Sequence, residues 1–182
     1  MKDPQFRLTI KLFLCLLWLT FQPWLGTVGF GRDSTLIRFQ LKDQFDQAWT
    51  HQDFSGHATI IVGSDRQGSE YNEIWSFAIY DSLVKHELKD SVKFLAVADT
   101  RGVPSLLRKM VKRKFPREAH RWIIIDWEGD FAVAYQFVPH ECNLVVINRA
   151  GKVVHQQSGK ELDRKKLDLI LGEIYTLFKI PH

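Results

Sequence analysis

A chain of 182 residues is long enough for one domain with a full hydrophobic core and a short N-terminal addition. With 45% hydrophobic and 25% charged residues, its composition is that of a folded globular protein and excludes a disordered one. A formal net charge of +4, spread over the whole chain, is too weak a basic balance to imply a nucleic acid partner.

Lys2, Arg7 and Lys11 precede the apolar run Leu12 to Phe21, and the small residues Gly26, Thr27 and Gly29 follow it. A charged start, an apolar stretch and a small-residue exit mark an export signal. The run is short of the about 20 residues a membrane span needs. Counting on through Val28 and Phe30 reaches that length only by including Gln22 and Pro23. Two readings stay open for residues 1–30. A cleaved signal peptide places the domain in the periplasm or outside the cell. A retained anchor holds it at the membrane, outside the cytoplasm, with membrane contact through residues 8–30. No small residues immediately precede Cys15, which argues against a lipoprotein site. Cys15 and Cys142 are the two cysteines. Removal of the signal leaves one, so the mature chain has no internal disulfide and depends on its core.

Leu36 to Leu41 alternates as a strand, and Lys42 to Asp46 reads as a turn. His57 to Val62 is β-branched and nearly all apolar, which suits a strand buried on both faces. Ser69 reads as the N-cap of a helix in which Ile74, Trp75, Ala78 and Ile79 share the apolar face. Val92 to Ala98 is a second buried strand, and Asp99 to Gly102 ends it. Pro104 then opens a helix that buries Leu107, Met110 and Val111, leaves Arg108, Lys109, Lys112 and Arg113 in water, and stops before Pro116. Arg121 to Ile125 is a third strand, Asp126 to Gly129 a turn, and Phe131 to Phe137 a short helix or irregular segment. Leu144 to Ile147 and Lys152 to His155, around the turn Asn148 to Gly151, form a hairpin. Leu167, Ile170, Leu171, Ile174 and Phe178 define the apolar stripe of a C-terminal helix. Alternating strands and helices imply an α/β fold, with a largely parallel sheet, helices on both faces and an antiparallel pair closing it.

Three segments then take on a common meaning. Phe39 to Phe45 is similar to the opening of thioredoxin-like redoxins, the group that includes peroxiredoxins and thiol–disulfide oxidoreductases. Ile124 to Gly129 with Ala134-Tyr135 resembles the segment before that group's last sheet elements. Leu144 to Asn148 with Gly151 to Val154 resembles its final hairpin. The resemblance spans about residues 35 to 178 in the right order. More narrowly, the signal, the loop from Val62-Gly63 to Asn72, the segment Arg121 to Gln136 and the closing Leu144 to Val154 resemble the YtfJ-type branch of exported bacterial thioredoxin-like proteins, which typically lack the redox cysteines. The resemblance implies a thioredoxin-like three-layer sandwich over residues 35–180: a mixed central sheet, a C-terminal antiparallel hairpin and a final helix.

In redoxins the loop between a buried strand and a helix carries the chemistry. It holds a cysteine pair two residues apart, or one peroxidatic cysteine with an upstream threonine. The matching positions here are Gly63, Ser64, Asp65, Arg66, Gln67, Gly68 and Ser69, which contain no thiol. The family's other mark, a cis-proline facing that loop, falls by counting back from Asn148 at about Cys142, with Pro139 three residues earlier. The loop therefore reads as a vacated active site, and the chain as a non-catalytic binding or accessory module of the cell envelope. The alternative is a divergent redoxin, an oxidoreductase or peroxidase-like protein that uses Cys142 with a partner thiol.

Ser64, Asp65 and Ser69 could form a hydroxyl–carboxylate set, but a serine nucleophile needs an adjacent base, and the loop has no histidine. Whether His57, His86 or His140 folds near it is open. The loop could also hold an anion at a helix N-terminus, with Arg66 assisting and Asp65 and Glu70 opposing. His140, Glu141 and Cys142 are ligand-type residues, yet consecutive side chains on an extended chain alternate in direction. No metal and no cofactor is expected. Arg108, Lys109, Lys112, Arg113, Lys114 and Arg117 make the densest basic run, either a solvated face or a patch for an anionic surface or an unidentified envelope protein. No base-stacking platform accompanies it, so no nucleic acid partner is expected.

Overall fold

Ala58–Ser64, fully buried along its length, is the strand around which the domain is organised. The computed structural model describes residues 34–179, so the signal or anchor reading of residues 1–30 lies outside the described residues. Taking the strands in chain order, β1 is Gln40–Asp43, β2 Ala48–Thr50, β3 Ala58–Ser64, β4 Val92–Asp99, β5 Ile124–Asp126, β6 Cys142–Ile147 and β7 Val153–Gly159. Among the described residues they form one mixed sheet in the order β2-β1-β5-β4-β3-β6-β7. β3 runs parallel to β4 and β4 parallel to β5, while β6 and β7 close one side as an antiparallel pair. The helices are α1 (Ser69–Lys85), α2 (Ser105–Lys112), α3 (Asp130–Ala134) and α4 (Arg164–Leu177).

The unbroken apolar run of β3 follows from burial on both faces. Ile60 and Val62, with Leu144 and Val146 of β6, face α1 and α4, where Trp75, Ile79, Leu83, Ile170 and Ile174 complete one core. Ile61, with Leu95, Val97, Val145 and Ile147, faces the other side, where Phe39, Phe131 and Tyr135 complete a second. Of the stripe expected on α4, Leu167, Ile170, Leu171 and Ile174 are buried while Phe178 follows the helix as its half-buried C-cap, and Asp163 caps the other end by accepting from the Lys166 N–H at 3.1 Å. Each fully buried side chain of this size contributes about 1.5–3 kcal/mol of transfer free energy. No helix among the described residues is long and apolar enough to cross a membrane.

Several local readings are corrected. The strand read over 36–41 begins at Gln40 and runs to Asp43, because residues 34–36 pair with the turn before β7 instead: the Leu36 N–H donates to Gly151 O and the Val153 N–H to Ser34 O. The residues read as a turn contain the end of β1, and a further strand, β2, returns antiparallel to it. Buried Asp43 makes that hairpin, accepting from the Phe45 and Gln47 N–H groups and from Trp49 Nε1. The third strand starts at Ile124, not Arg121. Ile74 faces outward from α1, whose buried residues are Trp75, Ile79 and Leu83. Ser69 is not a cap: it begins α1, and its hydroxyl donates to Arg66 O at 2.7 Å.

α2 departs most. None of its residues is buried, and Leu107 and Met110, expected inward, are exposed. Arg108 and Lys112, expected in water, are partly covered and ion-paired with Glu128 and Asp46. The helix is rolled so that a basic side faces the domain.

Candidate functional site

β3 delivers its last residues, Gly63 and Ser64, to the base of the loop that enters α1. Ser64 is buried, and its Oγ accepts a hydrogen bond from Asn72 Nδ2 at 2.8 Å, one helical turn into α1. Asp65 is the organising residue. Its Oδ1 accepts from the Gly68 N–H at 2.8 Å, closing the loop on itself. Its Oδ2 accepts from the His140 N–H at 2.9 Å and lies 2.9 Å from His140 Nδ1. Burial pushes the Asp65 carboxyl up, but the Gly68 and His140 N–H groups, the His140 ring and the Gln67 N–H together outweigh it. The net result is a carboxyl held below its ordinary value.

The partner of this loop is the segment Phe137 to Glu141. A Cβ added at Gly63 would stand 2.1 Å from Phe137 Cε2, and one added at Gly68 would stand 2.3 Å from the Glu141 carbonyl oxygen. Both glycines are therefore points where another piece of chain lies directly on the backbone. Buried Asn143 fixes that piece: its Oδ1 accepts from the Val138 N–H at 2.7 Å, and its Nδ2 donates to Val138 O and Glu141 O. His140 takes a left-handed φ of 63°, which turns its N–H toward Asp65. There is no cis peptide bond among the described residues, so Pro139 is trans.

Cys142 follows this segment as the first residue of β6 and pairs with Gly159. It is fully buried in the core beneath α1 and α4. Burial pushes its thiol up to about 12. The fraction of reactive thiolate at neutral pH is correspondingly small. His140, Glu141 and Cys142 go three ways: His140 to Asp65, Glu141 Oε2 to the Ser158 hydroxyl at 2.6 Å, and Cys142 into the core. His140 is thus the histidine that folds beside the loop, and it meets Asp65 rather than a serine hydroxyl. On the solvent side, Arg66, Gln67, Glu70, Tyr71, His140 and Lys160 line a shallow cleft of about 410 Å³.

The basic run lies apart from this loop in the chain, on α2 and the residues after it. Arg108 donates to Glu128 Oε1 at 2.8 Å and stacks over the Trp127 ring at 5.1 Å, and Lys112 pairs with Asp46. Lys109, Arg113, Lys114 and Arg117 are exposed and form no ion pair among the described residues.

One organising residue went unread in the sequence. Asp126, read only as part of a turn, is fully buried at the end of β5, where its carboxylate accepts from the Gly129, Asp130 and Phe131 N–H groups. Burial is the largest influence on its carboxyl and raises it despite those bonds. The signal was present as Asp126-x-x-Gly129-Asp130, an aspartate placed to cap the helix that follows.

No family model matches the sequence, and no curated protein matches it. Solved structures do. The pneumococcal exposed lipoprotein thioredoxin of Streptococcus pneumoniae is 18% identical and covers 79% of this chain and 100% of its own, with a TM-score of 0.55. A thiol:disulfide interchange protein of Chlorobium tepidum, described as putative, is 14% identical over 80% of this chain and 96% of its own, with a TM-score of 0.56. Peroxiredoxin Q of Xanthomonas campestris is 14% identical over 76% of this chain and 90% of its own, with a TM-score of 0.51. The fold is thioredoxin-like, as the sequence resemblance implied. At these identities the likeness carries fold alone.

Proposed function

We propose that this chain is an exported thioredoxin-like protein of the YtfJ type that has lost redox chemistry and works as a non-catalytic binding or accessory module in the cell envelope. The observation that carries the reading is a loop without thiols whose inner face is covered. The strand-to-helix loop, where redoxins keep their thiols, has its two glycines pressed against Phe137 and Glu141 and its one carboxylate bonded to His140. A reactive cysteine site needs a partly exposed, electropositive setting. Here the loop has no thiol, and the one cysteine of the described domain is buried with its ionisation suppressed. The charged, apolar and small-residue pattern of residues 2–29 supports export.

The test is turnover of a disulfide substrate with a thiol reductant, and of peroxide, by wild type and Cys142→Ala. Neither protein should turn over either substrate above the rate without protein. Turnover by wild type that disappears in Cys142→Ala would establish the competing oxidoreductase and remove the non-catalytic reading.

A further inference from the structure

α2 is an amphipathic helix lying the unexpected way up. Its basic side, through Arg108 and Lys112, is fastened to Glu128 and Asp46 of the domain. Its apolar side points away: Leu106 is 89% exposed, Met110 52% and Leu107 41%. Two ion pairs with distant parts of the chain accompany this orientation. Lys109 lies on the helix and Arg113 caps it, Lys114 and Arg117 follow it in the chain, and all four are exposed and without ion pairs among the described residues, with Glu118 as the one acid between residues 105 and 121. An apolar ridge with unpaired cations on and just after the same helix combines the two attractions that place a peptide at an anionic bilayer interface.

We infer that α2 is a docking element for an anionic phospholipid surface, with Leu106 and Met110 entering the headgroup region and Lys109, Arg113, Lys114 and Arg117 lying among the lipid phosphates. The inference rests on the reading of this domain as a binding module and names the surface it binds. Charge complementarity favours a bilayer over other occupants. So does shape: a protein interface stable on its own needs at least about 1,000 Å² of complementary surface. An eight-residue helix with three outward apolar side chains offers much less. A bilayer needs no matching shape. Each cation at a charged surface contributes about a fivefold gain in affinity. Four of them convert weak apolar contact into useful binding.

The experiment is hydrogen–deuterium exchange of the full chain, read at peptides covering residues 103–118, with and without vesicles. Phosphatidylcholine vesicles containing phosphatidylglycerol should slow exchange there, and pure phosphatidylcholine vesicles should not. Added salt should weaken the effect. Lys109→Gln with Arg113→Gln should raise the half-saturating lipid concentration roughly 25-fold. Leu106→Ser with Met110→Ser should abolish protection although all cations remain. All four positions are exposed, so an unchanged melting temperature will show that the variants fold. Insertion of the apolar residues 12–21 alone would bind every variant to vesicles but leave residues 103–118 exchanging freely, and that result overturns the inference. So does equal protection on neutral vesicles. Protection that appears with rising protein concentration and no lipid assigns the face to a second copy. Protection by a delipidated envelope-protein fraction but not by vesicles assigns it to a protein. Either result overturns the inference and leaves the non-catalytic reading intact. Cys142-dependent turnover would remove that reading without altering the exchange result.

Discussion

Replacing Asp65 should release the loop from the segment that covers it. In Asp65→Ala the Gly68 and His140 N–H groups lose their acceptor, and the His140 ring loses its charged neighbour. Bonds to a charged acceptor contribute about 1.5–3 kcal/mol when buried, and unassisted ones about half that. The Asp65 side chain keeps 27% of its surface exposed, so water partly replaces what is lost. The lower end of the range is then appropriate, and two bonds give a destabilisation of about 2–3 kcal/mol. Urea unfolding followed by tryptophan fluorescence measures it. The pH dependence supplies a second check. The folded-state carboxyl lies below its unfolded value of 3.8. Its contribution is therefore complete above that value and is lost as pH falls through the lower, folded one. The gap between wild type and Asp65→Ala should persist at pH 5 and above and close as pH falls below about 4. A variant within about 0.5 kcal/mol of wild type at pH 7, or a gap that does not close in acid, refutes the latch.

Asp126→Asn should show the opposite slope: the Asp126 carboxyl is raised in the fold, so its contribution is fullest below 3.8 and declines as pH rises, and the penalty of the substitution should shrink between pH 3 and neutrality. Urea titrations of the pair across that range check it, and a penalty that grows with pH refutes it. Cys142→Ser puts a hydroxyl where the core offers a thiol-sized apolar site and should cost about 1–3 kcal/mol, more than Cys142→Ala, by the same measurement. With the Cys142 thiol pushed up to about 12, iodoacetamide labelling of the peptide holding it should be slow in buffer and prompt in denaturant. Rapid labelling of the folded chain would refute its burial. Ser69→Ala should lie within about 0.5 kcal/mol of wild type, because the hydroxyl only meets an exposed carbonyl.

What the sequence made legible is what local pattern decides. The α4 stripe, the buried strands β3 and β6 and the half-buried β4 were readable from their periodicity and β-branched content. The losses occur where a partner distant in sequence sets the outcome. On α1 two neighbouring apolar residues, Ile74 and Trp75, both fit the core pattern, and only packing chooses the larger. On α2 the expected apolar-inward orientation is not adopted, and Arg108 and Lys112 meet Glu128 and Asp46, whose proximity no window of sequence reveals. At the loop, Ser69 had the right residue type for a cap. The helix has no side-chain cap, and the loop's carboxylate, Asp65, accepts instead from Gly68 and from His140, 75 positions away along the chain.

These two losses bear on the same question. The missing thiols in Gly63 to Ser69 were visible at once, but an absent cysteine leaves open whether a pocket persists for some other chemistry. The tertiary contacts argue otherwise for the loop's inner face. A nucleophile there would need space above Gly63, which the Phe137 ring occupies, and above Gly68, where the Glu141 backbone lies. A side chain added at Gly63 or Gly68 would therefore have to displace a segment that Asn143 and Asp65 hold with four hydrogen bonds. A latch and an active site place contrary demands on one loop: the first improves as the loop is covered, the second requires a face left open. In this chain the inner face of the loop meets the first demand.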